Sequence, residues 1–159
     1  MDQNARIVVV DDDENIRRVL VAILTDEGYD VDTAETAQKA IEKSERKSYH
    51  MALIDVRLPD MDGTELLTKF KPTIPKMRKI IITGYPTLQN AMQAVNKRAD
   101  AYIMKPFDVE NILKAMKEQL DLREEEKKYS QDKVAAFIET RVRELDVAKA
   151  SCSSEERNQ

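Results

Sequence analysis

Asp11 and Asp12 directly follow the apolar run Ile7-Val8-Val9-Val10, and Asp55 directly follows Met51-Ala52-Leu53-Ile54. Thr83 closes the run Ile80-Ile81-Ile82, and Lys105 closes Ala101-Tyr102-Ile103-Met104. Three carboxylates gathered at one rim would repel one another unless a cation sat among them. Oxygen-only donors select a hard divalent ion, Mg²⁺ first, which keeps several of its waters. The Thr83 hydroxyl and the Lys105 ammonium would face the same spot. Acidic residues after a strand also cap helices, and that reading suits Asp13 and Glu14, which stand where a helix begins. It explains too little for Asp11, Asp12 and Asp55, because a lysine and a threonine hold matching positions.

The elements that must bring these residues together are legible in the hydrophobic pattern. The four apolar runs are short and mostly β-branched, as strands buried on both faces of a parallel sheet are. Residues 29 to 34 alternate instead, which predicts an edge strand with one wet face. Between the runs lie helically spaced apolar positions: Ile16, Val19, Leu20, Ile23 and Leu24; Ala37, Ala40 and Ile41; Leu66, Leu67 and Phe70; Leu88, Ala91, Met92 and Val95. Five alternations of strand and helix predict an α/β fold, a five-stranded parallel sheet with helices on both faces, since each right-handed crossover needs a helix. In such sheets ligands bind outside the carboxyl ends of the strands, where the five polar residues stand.

Val9-Val10-Asp11-Asp12, Leu53-Ile54-Asp55 with Leu58-Pro59-Asp60-Met61-Asp62-Gly63, Ile82-Thr83-Gly84 and Lys105-Pro106-Phe107 together resemble the signature set of the response-regulator receiver domain of two-component signalling. The resemblance spans about residues 6 to 120 and implies a flavodoxin-like, CheY-like fold. It implies that Asp55 is the phosphoacceptor for a sensor histidine kinase. Asp11, Asp12, Asp55 and the backbone carbonyl of Arg57 would hold Mg²⁺, Lys105 would pair with the phosphoryl group, and Thr83 would be the switch hydroxyl. Tyr102 would turn inward with Thr83 and change a surface on the fourth helix, fifth strand and fifth helix. Pro106 would follow a cis peptide. The chemistry is consistent, because a carboxylate attacks a phosphoryl group in line once nearby cations neutralise its equatorial oxygens. The resemblance further implies a signalling protein that catalyses only its own phosphorylation and a slow autodephosphorylation. Arg57 and Tyr85 occupy positions that vary in the family and influence the lifetime of the acyl phosphate. One departure stands out: Arg98-Ala99-Asp100 replaces the usual Gly-Ala before the last strand, so the turn there must manage without glycine or strain slightly.

Two other readings are weaker. A haloacid-dehalogenase-like phosphatase also uses an aspartate nucleophile with Mg²⁺, but it wants a second aspartate two residues on, where this chain has Arg57. A receiver-like docking module that never takes phosphate would have no use for the complete Asp-Asp-Asp-Thr-Lys set. A single cysteine, Cys152, excludes an intramolecular disulfide and a thiolate metal cluster, and His50, the only histidine, is expected to open a strand. The net charge is −4, and from Phe107 onward 13 acidic residues face 10 basic ones, so nucleic acid is not an expected partner. No stretch is long and apolar enough to span a membrane, and the N-terminus does not read as a signal peptide, so the expected compartment is the cytoplasm.

The sequence past the receiver holds no glycine or proline and too few apolar residues for a second core. It predicts a stand-alone receiver over residues 1–122, a helical extension over 123–149 restarting near Ser130, and a disordered tail over 150–159. Val134, Ile138, Val142 and Leu145 would form one apolar stripe on the extension. Downstream contacts would run either to an effector protein or to a second copy, through the fourth helix, fifth strand and fifth helix or through this C-terminal helix.

Overall fold

The structure is a computed structural model that describes residues 4–84 and 86–157, with side chains through Ser151. Tyr85 and the thiol of Cys152 therefore lie outside the described parts. Five parallel strands, β1 (Arg6–Val10), β2 (Asp30–Ala34), β3 (Met51–Asp55), β4 (Arg78–Thr83) and β5 (Ala101–Met104), form one sheet in the order β2-β1-β3-β4-β5. The helices are α1 (Glu14–Asp26), α2 (Ala37–Arg46), α3 (Gly63–Leu66), α4 (Leu88–Asn96) and α5 (Val109–Arg157). Packing divides the chain into two units, residues 1–123 and 124–159.

Alternation along the central strands feeds two cores. Ile7 and Val9 of β1 face Leu20 and Leu24 of α1 and Ile112 and Met116 of α5. Val8 and Val10 point the other way, toward Ala37 and Ala40 of α2, Leu66 of α3 and Ala94 of α4. Each fully buried leucine or isoleucine contributes about 2 kcal/mol of transfer free energy, so the interior strands β1, β3 and β4 anchor the frame. The α1 helix begins where Asp13 accepts the Asn15 and Ile16 amides, at 2.8 and 3.3 Å, as its N-cap. His50 stands just ahead of β3, and its Nδ1 accepts the Arg6 amide at 2.8 Å.

Five features differ from the sequence expectation. The run 101–104 forms an edge strand, and its side chains are half-buried or exposed rather than enclosed on both faces. The third helix is a single turn, with Leu67 and Phe70 buried from the irregular turns that follow it. The apolar stripe of α4 does not face the core: Leu88, Met92 and Val95 are 79%, 55% and 74% exposed, and Ala94 is the residue buried. Helix α5 is unbroken through Ser130, so there is no restart and no N-cap there. The same helix continues past 149 to Arg157, where a disordered tail was expected to begin at Ala150. With neither glycine nor proline in the stretch, no residue supplies a break, and the exposed pairs Arg143–Glu139 at 2.6 Å and Arg141–Glu144 at 3.1 Å favour helix locally.

The turn before β5 resolves the missing glycine. Arg98 takes a left-handed φ of 65°. Its amide donates to the Val95 carbonyl at 3.1 Å, and the Ala99 amide donates to the Ala94 carbonyl at 2.8 Å. These two bonds form a Schellman cap on α4, with an arginine in the position that glycine normally fills.

Candidate functional site

The strand register sets the site. Val10 pairs with Ile54, Asp55 with Ile82, and Thr83 with Met104, so β1, β3, β4 and β5 end together at one rim. Asp11 leaves β1 there with only 3% exposure, Asp55 ends β3 at 8%, and Thr83 ends β4 fully buried. Asp12 is exposed beside them. One oxygen from each of Asp11, Asp12 and Asp55 lies within 4.8 Å of the others.

Lys105 is the cation that holds this cluster. Its Nζ donates to Asp11 Oδ2 at 2.8 Å and stands 3.6 Å from Asp55 Oδ2. The peptide between Lys105 and Pro106 is cis, and the Lys105 amide donates to the Thr83 carbonyl at 2.7 Å. Burial pushes the Asp55 carboxyl up to about 6, with the Asp11 and Asp12 charges adding to the shift and Lys105 opposing it. Burial alone would push the Lys105 ammonium down, but its bond to Asp11 and the charges of Asp11 and Asp55 hold it above the usual lysine range. One lysine therefore does not neutralise the rim. The donor set is oxygen only, carboxylate-rich and partly open to water through Asp12, which fits a hard divalent cation such as Mg²⁺.

The loop after Asp55 is held by bonds that the sequence reading did not assign. Asp60 accepts the Ala37 and Gln38 amides at 3.0 and 2.8 Å and so ties the loop to the start of α2. Asp62 accepts the Thr64 amide at 2.8 Å and the Thr64 hydroxyl at 2.7 Å, and that hydroxyl also lies 3.3 Å from Gln93 Oε1 on α4. Arg57 is exposed, with its backbone bridged to Asp62. Arg17 donates to the Asp11 carbonyl at 2.7 Å and fixes the chain where it leaves β1. Asp60 and Asp62 were visible only as motif letters, and nothing in the spacing of Arg17 pointed to its role.

Tyr102 pairs with Ile81 and packs its ring against the core cluster containing Val56, Leu66 and Ala94. Its hydroxyl is buried without a hydrogen-bond partner among the described residues. Thus Lys105 meets Asp11 and Asp55 directly, and the Asp12 carboxylate lies beside them within 4.8 Å. Thr83 stands one register position beyond the end of β3, and Tyr102 lies lower on β5.

A doubly wound parallel sheet with an acidic rim and a converging lysine defines a class of phosphoryl-binding signalling domains. Residues 7–117 match the family model of the response regulator receiver domain, and the chain belongs to that family. It is 32% identical over 120 residues to sporulation initiation phosphotransferase F of Bacillus subtilis, covering 76% of this chain and 97% of that protein. It is also 32% identical over 123 residues to the alginate biosynthesis transcriptional regulatory protein AlgB of Pseudomonas putida, covering 77% of this chain but only 28% of that longer regulator. Among solved structures, a CheY-like response regulator receiver domain protein of Methanospirillum hungatei is similar at 46% identity and a TM-score of 0.74, covering 77% of this chain and 98% of that one. No helix among the described residues is long and apolar enough to cross a membrane.

Proposed function

We propose that Asp55 accepts a phosphoryl group from a sensor histidine kinase in a Mg²⁺-dependent step and that the chain signals through the resulting change of surface. The observation that carries this reading is Lys105 Nζ, held between Asp11 at 2.8 Å and the buried Asp55 at 3.6 Å. An Asp55 oxygen attacks phosphorus, the bond from phosphorus to the kinase imidazole breaks, and the imidazole leaves with the electron pair and takes up a proton. Asp11, Asp12, Asp55 and the Arg57 carbonyl would hold the ion, which when bound supplies charge to neutralise the phosphoryl oxygens. The Lys105 ammonium then pairs with one of those oxygens, and the buried Thr83 hydroxyl is the uncharged donor that moves toward another. Chemistry ends at self-phosphorylation and slow autodephosphorylation, since Arg57 stands where a phosphatase would place its acid/base.

The output surface follows from the exposed apolar face of α4. Leu88, Met92 and Val95, with Met104 of β5 at 59% exposure, give a downstream effector an apolar patch beside the switch residues. Tyr102, with its hydroxyl buried and unbonded, is poised to change rotamer when Thr83 moves. Within the second unit, the stripe Val134, Ile138, Val142 and Leu145 is more than half exposed at every position, and it serves as a partner-binding or self-associating element.

The deciding experiment is intact-mass spectrometry with acetyl phosphate or phosphoramidate and Mg²⁺. One phosphoryl adduct is expected on the parent chain and none on Asp55→Asn. An adduct that survives in Asp55→Asn would place the acceptor elsewhere.

A further inference from the structure

The end of the sheet away from the acidic rim carries a cavity of about 500 Å³. Arg6 at the start of β1, Lys71 in the loop before β4, and Arg123 of α5 line it, and none of its lining residues is acidic. Arg6 is held in place: its Nε donates to the Ser48 carbonyl at 2.6 Å and its amide to His50. The two terminal guanidinium nitrogens of Arg6, the Lys71 ammonium and the Ser48 hydroxyl, all lining residues of the cavity, have no protein partner among the described residues. Tyr49, Ile74 and Pro75 add an apolar wall, with Ile74 84% exposed at its rim.

Cations brought to one cavity without a carboxylate repel one another, and an anion removes that cost. A guanidinium fork, an ammonium and a hydroxyl form the donor set that recognises a phosphate group. A bare phosphate would fill only a fraction of the volume and leave the apolar wall in contact with water. A cavity of this size suits a small organic ligand.

We infer that this cavity binds a phosphomonoester anion carrying an apolar or aromatic body, of the size of a nucleoside monophosphate. Arg6, Lys71 and Ser48 hold the phosphate, and Tyr49, Ile74 and Pro75 pack against the body. The site lies at the amino-terminal edge of the sheet and is independent of the chemistry at Asp55.

The test is an amide-shift titration of the full-length Asp55→Asn chain without Mg²⁺, so that the acidic rim has no part in binding. The probes are AMP, inorganic phosphate and adenosine, each taken to several times about 1 mM, the level at which binding free energy reaches about −4 kcal/mol. AMP should shift Arg6, Ser48 and Tyr49, phosphate should do so more weakly, and adenosine should not. Lys71→Ala removes an exposed side chain that makes no bond among the described residues, so it should fold normally, weaken AMP binding about tenfold, and regain it in Lys71→Arg. Equal shifts from adenosine and AMP, equal affinity for phosphate and AMP, no saturable shift at these residues, or an unchanged titration in Lys71→Ala would each overturn the assignment.

Discussion

A Cβ on Gly63 would lie 2.0 Å from the carbonyl oxygen of Asp55. The Gly63 amide also donates to the Val56 carbonyl at 2.7 Å, so the first turn of α3 is pressed directly onto the end of β3. Backbone cannot yield as a flexible side chain does. Gly63→Ala is therefore expected to cost about 1 to 3 kcal/mol and to slow labelling of Asp55 by acetyl phosphate. Urea unfolding together with intact-mass labelling checks both. A variant as stable and as reactive as the parent would show that α3 can move away freely.

The buried Asp55 carboxylate, the proposed phosphoacceptor, also weighs against the metal-free fold. The Asp55 carboxyl is pushed from 3.8 to about 6, chiefly by burial and then by Asp11. Folding therefore favours its protonated form, and the penalty grows as pH rises from about 4 to about 6 and is complete above that. Asp55→Asn should stabilise the metal-free chain by about 1 to 3 kcal/mol at pH 7.5 and by much less at pH 4.5. Denaturant midpoints at the two pH values, in chelator, measure it. An equal gain at both would mean that charge burial is not the cause.

Lys105→Ala and Thr83→Ala should fail differently. Loss of Lys105 leaves Asp11 and Asp55 without their shared cation, so labelling should slow about tenfold or more and the surface change should be lost. Loss of the Thr83 hydroxyl should leave labelling largely intact and abolish transmission to α4 and β5. Amide exchange in α4 and β5 with and without beryllofluoride separates them. A full parental response in Thr83→Ala would remove Thr83 from the switch.

Arg98→Gly should stabilise the fold by about 0.5 to 1 kcal/mol. A left-handed residue with a Cβ costs about 1 to 2 kcal/mol, part of which is returned as the added entropy of glycine in the unfolded chain. The Arg98 side chain is exposed and its cap bonds are made by the backbone, so nothing else is lost. Thermal unfolding checks this, and a lower midpoint would mean that the arginine makes a contribution of its own.

By itself the sequence determined the alternation of strand and helix, the parallel sheet and the polar residues at four of the five strand ends. Hydrophobic period and strand length are local properties, and a two-faced apolar run such as Ile7-Val8-Val9-Val10 has few other homes. The tertiary structure decided what depends on neighbours. Whether Leu88, Met92 and Val95 point to core or water is invisible in their spacing, because an interface stripe and a core stripe share one period. The edge position of β5 follows from strand order, which no single run encodes. The left-handed Arg98 shows that a cap can be built from two backbone bonds where the preferred residue is missing. Lys105 reaches across 94 positions of sequence to Asp11, and its role as the cluster's counterion exists only because four strand ends are brought into register.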